Sequence, residues 1–172
     1  MNSGTFTLQP HIRRLWQADQ PSLVDHFQRL DTASRRLRFG GLVSDAFVKD
    51  YAEHVLSLDA VAFGAFPDGK LRGVAELRFL LKVWPWSAEV ALLVEPSWQD
   101  EGIGDALLNR LISAAQNRGI KKVHMQCLRE NMRMQSLAKK HDAVLDFDIG
   151  EVEATLDPPW PTPMSVYAEL FG

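Results

Sequence analysis

A chain of 172 residues is long enough to bury one substantial core and too short for two ordinary domains. Its 46% hydrophobic and 24% charged residues fit a globular protein, and a net charge of -3 excludes a nucleic-acid binder held mainly by phosphate contacts, which needs a basic face. The single cysteine, Cys127, excludes an intrachain disulfide.

The start, Met1-Asn2-Ser3-Gly4-Thr5, lacks the basic residues and apolar run of a secretory signal, and no stretch reaches the ~20 apolar residues that span a bilayer. These features set the expectation of a cytoplasmic protein without membrane contact, folded as one domain over 1–172.

In chain order, Thr5–Leu8 reads as a first strand. Pro21–Leu30 places Leu23, Val24, Phe27 and Leu30 at helical spacing. A second helix covers Ser34–Phe39 and stops at Gly40-Gly41, and Ser44 caps a third that carries Phe47, Tyr51, Val55 and Leu56. The period then changes. Ala60–Phe66, a Pro67-Asp68-Gly69-Lys70 turn and Leu71–Phe79 read as an antiparallel strand pair. Ser87–Val94 is a strand, and Asp105–Asn117 is the clearest helix, with Leu107, Leu108, Leu111 and Ala115 on its apolar face and Gly119 at its end. Val123–Leu128 alternates as a half-buried strand, Asn131–His141 reads as a helix, and Ala143–Ile149 and Val152–Leu156 as strands. Prolines between 158 and 163 end regular structure before a short tail at Met164–Leu170. The pattern predicts an α/β domain with helices around one mixed sheet.

The chemistry is concentrated between Ala88 and Leu108, where an apolar strand runs through a short loop into a glycine-punctuated helix start. Glycine lets the backbone approach a ligand closely. The first N–H groups of a helix have no internal partner, and the macrodipole adds partial positive charge, so an anionic phosphate is the natural occupant. Neither dinucleotide alternative fits: Leu107 stands where a Rossmann loop needs a third small residue, and no Gly-Lys-Ser/Thr tripeptide exists for a P-loop.

Gln99-x-x-Gly102-x-Gly104, after a strand ending Val94-Glu95-Pro96, resembles the acyl-CoA motif of the GNAT N-acetyltransferases, and Asn131-x-x-Met134-x-x-Leu137-Ala138 resembles that family's second segment. The resemblance is strongest over Glu89–His141. It implies the family's fold, a central, mostly antiparallel mixed sheet flanked by helices. It also implies acetyl-CoA as cosubstrate, an amine acceptor on a small molecule or peptide, and, as in many relatives, a homodimer. By the same likeness Leu92, Leu93 and Val94 bond the pantetheine arm through their backbone. The loop Gln99, Asp100, Glu101, Gly102, Ile103, Gly104 and Asp105 holds the pyrophosphate, and Asn131 bonds pantetheine from the other side or caps its helix. The two central strands are expected to splay and form the thioester cleft.

Glu89, at the start of the cofactor strand, is the candidate base, since an ammonium must lose a proton before attacking a thioester; the alternative is a solvated strand-end carboxylate. Two departures stand out. Asp100 and Glu101 occupy positions that are often basic or neutral, so their side chains are expected to turn to solvent. Ala138 stands where many relatives keep a proton-donating tyrosine, and the chain's two tyrosines, Tyr51 and Tyr167, lie outside the motif. These departures keep open a second reading, a non-catalytic acyl-CoA-binding regulatory module.

The spacing also leaves other residues with structural readings. Gln126 cannot act as a base, His124 is read as structural, and Cys127 as a core thiol. No His/Cys/Asp spacing suggests a metal. Arg35, Arg36 and Arg38 form the densest basic cluster, suited to an acidic acceptor, the CoA 3′-phosphate or a solvated helix face. Trp84-Pro85-Trp86 suits a pocket wall, a dimer contact or a core edge.

Overall fold

The computed structural model describes residues 11–80, 82 and 84–171, so the expected strand at Thr5–Leu8 lies outside the described residues. The elements run β1 (Ile12–Arg14), α1 (Gln20–Arg29), α2 (Thr32–Phe39), α3 (Asp45–His54), β2 (Ala60–Ala65), β3 (Gly73–Leu80), β4 (Ser87–Val94), α4 (Ile103–Asn117), β5 (Lys122–Leu128), α5 (Met132–Lys140), β6 (Val144–Phe147), β7 (Glu151–Leu156) and α6 (Pro163–Phe171).

Local chemistry sets many of the boundaries. Asp31 caps α2 by accepting from the Ser34 N–H at 2.7 Å, and the helix ends where Gly40 turns left-handed at φ 74°. Ser44 Oγ caps α3, accepting from the Phe47 N–H at 3.2 Å. Gly64 in β2 is required by close approach: a Cβ there would sit 2.5 Å from Leu71 Cδ1 and 2.7 Å from Leu15 Cδ2.

The strands form one sheet ordered β1-β2-β3-β4-β5-β7-β6. All neighbours are antiparallel except the parallel pair β4 and β5. Period-2 alternation sends Val61, Phe63 and Leu77 to one face, where they meet Leu107, Leu108 and Leu111 of α4. Ala62, Val74 and Leu93 point to the other face, against Leu23 and Phe27 of α1 and Val48 and Ala52 of α3. Two cores thus sandwich the sheet.

Two elements depart from the expectation. β1 is a three-residue edge strand with two arginines, too short and too charged to alternate visibly. The tail after the prolines is a helix, α6, with Thr162 Oγ1 accepting from the Ser165 N–H at 3.0 Å at its start. It docks on α4 through polar contacts. Arg110 Nη1 donates to the Glu169 carbonyl at 2.6 Å, and Arg118 pairs with the Glu169 carboxylate at 2.8 Å. Its apolar side chains Met164, Tyr167 and Phe171 are exposed, so no buried apolar stripe marks the helix in the sequence.

Candidate active site

The parallel pairing of β4 with β5 runs only from Ser87–Lys122 to Val90–Met125, although β4 continues to Val94 and β5 to Leu128. Beyond that point, among the described residues, β4 keeps only β3 and β5 keeps only β7 as strand partners. The expected splay is present. Past the strand end, the Glu95 N–H donates to the Arg72 carbonyl at 2.8 Å, while the Val94 carbonyl accepts from Gln99 Nε2 at 2.9 Å. Alternation therefore turns the amide groups of Leu93 toward β3 and leaves those of Leu92 and the Val94 N–H facing the opening. The Leu93 side chain packs in the α1–α3 core.

Glu95 anchors the loop that follows. Its Oε1 faces His26 Nδ1 at 2.9 Å and Arg29 Nη2 at 2.7 Å, and its Oε2 accepts from Arg72 Nη1 at 2.9 Å. Burial opposes ionisation of this carboxyl, but the hydrogen bonds from His26, Arg29 and Arg72 outweigh it and hold its pKa down at about 2.

Helix α4 opens at Gly102, left-handed at φ 77°, with no side chain capping its first turn. The Ala106 N–H reaches the Gly102 carbonyl at 3.1 Å, so the N–H groups of Ile103, Gly104 and Asp105 precede the first intrahelical bond. A Cβ added to Gly102 would meet nothing within 4 Å, whereas one at Gly104 would touch Leu137 and Leu92 at 3.6 and 3.8 Å. The space beside Gly102 is open, and that beside Gly104 is filled by side chains.

The loop's side chains brace it. Arg133 Nη1 donates to Gln99 Oε1 at 2.6 Å and Arg133 Nη2 to Asp100 Oδ2 at 2.8 Å, and Glu101 is exposed. Asp100 is thus neutralised by Arg133 along the groove, while Glu101 faces solvent. Asp105 takes Lys140 Nζ and His141 Nε2, each at 2.7 Å. Its partial burial favours the neutral acid, but these two partners hold the pKa below the ordinary range. Asn131 Oδ1 caps α5 by accepting from the Met134 N–H at 3.1 Å, and the residue also borders both cavities described next.

A groove of about 660 Å³ runs between α2 and α5, over Leu92, Val94, Gly102 and Gly104, with Arg133 and Lys140 along it. A second cavity of about 560 Å³ lies on the α1–α3 face of the sheet, over Glu89, Ala91, His124, Gln126 and Glu153. Glu89 is exposed there, in register with Arg78 on one side and His124 on the other. His124, read from the sequence as structural, lines this cavity, with Nδ1 2.9 Å from Glu153 Oε1. Burial pushes the Cys127 thiol up, which argues against a nucleophile. Ala138 is buried in the core, and Tyr167 borders neither cavity.

The basic cluster comes apart in three dimensions. Arg35 pairs with Asp45, Arg36 with Glu130, and Arg38 enters the cavity wall. There Arg38 Nη2 donates to Glu76 Oε1 at 2.8 Å and to the Tyr51 hydroxyl, and that hydroxyl donates to Glu76 Oε2 at 2.6 Å. Burial, reinforced by the Glu76 charge, pushes the Tyr51 phenol well above its usual range. Spacing along the sequence does not disclose this triad. Its one sequence signal is Glu76 itself, a carboxylate inside the apolar run Val74-Ala75-Glu76-Leu77. Trp84 and Trp86 meet edge-to-face at 6.1 Å and border neither cavity. Among the described residues, no group of three His, Cys, Asp or Glu could hold a metal, and no helix is long and apolar enough to cross a membrane.

A mixed sheet opened between two parallel strands, with a glycine-started helix at the opening, is the GNAT fold. A model of the Acetyltransferase (GNAT) family matches residues 23–142, and the chain belongs to that family. It is similar to the GNAT domain of S. lividans PAT, at 24% identity and TM-score 0.72, over 85% of this chain and 89% of that one. It also resembles the PaiA N-acetyltransferase of Thermoplasma acidophilum in complex with coenzyme A, at 21% identity and TM-score 0.64, over 86% and 98% of the two chains. A third likeness is to spermidine N-acetyltransferase from Vibrio cholerae in complex with CoA and spermine, at 18% identity and TM-score 0.67, over 87% and 96%. At these identities the likeness carries the fold alone.

Proposed function

We propose that the protein is an acetyl-CoA-dependent N-acetyltransferase that passes an acetyl group to a primary amine by direct attack. The observation that carries this reading is the continuity of the two cavities. They share Leu37, Arg38, Leu92, Asn131 and Met134, beside the strand opening.

Acetyl-CoA supplies an activated thioester when bound. The uncapped N–H groups at Ile103, Gly104 and Asp105 suit its diphosphate, and the open space over Gly102 supports that fit. The loop from Gln99 to Glu101 contributes backbone and bracing. The amide groups of Leu92 and the Val94 N–H suit the pantetheine amides, with Leu93 holding the strand in place from its other face. Asn131 meets the same arm across the groove. Glu89 takes the proton from the acceptor ammonium so that the nitrogen lone pair is free. Holding amine and thioester in contiguous cavities makes the reaction effectively intramolecular, which is a large part of the acceleration.

A second reading, a non-catalytic acyl-CoA-binding module, is favoured by the buried Ala138, which removes the usual proton donor. A panel of small amines, polyamines and peptides with acetyl-CoA separates the two, with thiol release and product mass as readouts. Amine-dependent release supports the enzyme. Binding of acetyl-CoA without release from any acceptor favours the module, and absence of binding defeats both.

A further inference from the structure

We propose that Arg38 is a catalytic residue of the acyl transfer, whose guanidinium receives the departing CoA sulfur as a thiolate. This deepens the N-acetyltransferase reading and rests on it.

Of the five residues common to the groove and the acceptor cavity, Arg38 is the one that carries a charge. The reacting thioester must sit at that junction, because it is where the pantetheine path meets the amine. Both hydrogen bonds of Arg38, to Glu76 and Tyr51, are made through Nη2. Nε and Nη1 have no partner among the described residues, and neither is among the polar atoms sealed from solvent. A guanidinium has five N–H donors, so those two nitrogens leave three uncommitted.

The group is also fixed in place. It lies 5.0 Å from the Phe39 ring centre and 5.1 Å from that of Tyr51, with Glu76 as its anchor. Glu76 lines the acceptor cavity alone, whereas Arg38 also lines the groove, so the ion pair presents its positive end to the cofactor. Several neighbouring charges are engaged elsewhere: Glu130 with Arg36, His124 with Glu153, Arg78 with Asp59, and Asp105 with Lys140 and His141.

The chemistry then balances without a proton donor. Glu89 passes the first ammonium proton on to water, the freed nitrogen forms a bond to the carbonyl carbon, and the second proton that nitrogen then loses also leaves through Glu89 to water. The carbon–sulfur bond breaks with its electron pair on sulfur, which leaves as an anion. A preorganised cation at that point stabilises charge that develops only as the bond breaks. Ala138 is thereby accommodated, because the thiolate needs no acid.

The test measures ionisation of bound CoA by thiolate absorbance against pH, referenced to the protein bound to desulfo-CoA. Arg38→Gln alone strands Glu76 as a buried unpaired charge. The paired variant Arg38→Gln/Glu76→Gln removes both charges together and keeps the site neutral and foldable. In the wild-type protein, bound CoA should be on the order of tenfold more ionised than free CoA, a shift of about one pKa unit. The double variant should return to the behaviour of free CoA while acetyl-CoA affinity by calorimetry stays within about threefold, and kcat should fall on the order of a hundredfold with KM for acetyl-CoA held. Solution-like ionisation in the wild type, or the raised ionisation retained in the double variant, overturns the role of Arg38. Failure of the wild type to bind acetyl-CoA at all defeats instead the reading on which it rests.

Discussion

Gln99 links two elements with one side chain: Nε2 donates to the Val94 carbonyl at 2.9 Å and Oε1 accepts from Arg133 Nη1 at 2.6 Å. The end of β4, the loop from Gln99 to Glu101 and α5 are thereby held in one geometry. Gln99→Leu removes both bonds, each worth about 1 kcal/mol net. CoA affinity by calorimetry should fall about tenfold and Tm by a few degrees; an unchanged Kd would show that the brace is dispensable.

At Gly102 the backbone and the ligand requirement can be separated. The left-handed φ of 77° costs an alanine about 1–2 kcal/mol, and the space above it is open. Gly102→Ala should lower Tm by a few degrees and retain CoA binding. Gly102→Trp pays a similar backbone penalty but fills the groove, so it should fold and fail to bind CoA in calorimetry. Equal affinity for the two variants would place the diphosphate elsewhere.

Glu89 is exposed in the cavity on the α1–α3 face and does not line the groove between α2 and α5. Glu89→Gln should therefore reduce kcat by about a hundredfold or more while acetyl-CoA affinity is unchanged. A variant as active as the parent would leave proton removal to water or to His124.

Glu95 gives a signed pH dependence. Its pKa is held at about 2 in the folded protein, down from about 4.5, so its contribution to stability is fully present above about pH 4.5 and is lost as pH falls through 2. Glu95→Gln should lower the urea midpoint at neutral pH and flatten the acid-side decline between pH 4.5 and 2. Parallel wild-type and variant curves through that window would refute the coupling to His26, Arg29 and Arg72.

How much of this the sequence discloses depends on range. Ser44, Gly40, Asn131 and Gly102 act on backbone groups within a few residues, and their roles can be read directly. Strand β4 has the expected bounds because its apolar run is bordered by Pro85 and Pro96. The Arg38–Tyr51–Glu76 triad joins α2, α3 and β3, and nothing local marks that meeting beyond a carboxylate in an apolar strand. The adjacent arginines suggested a common basic surface, but successive helical positions face different neighbours, so each found its own carboxylate. Helix α6 escaped because hydrogen bonds to α4, rather than an apolar stripe, hold it, although Thr162-Pro163 is a helix-start signal that could have been used.

The parting of β4 from β5 leaves the sheet with missing rungs that a cosubstrate's own amides can fill, as an added strand would. In the free protein the N–H groups of Leu92 and Val94 lack a strand partner, while that of Leu93 is already committed to β3. Deuterium uptake should therefore alternate along three consecutive residues: fast, slow, fast. Ligand binding should erase that alternation by slowing the outer two.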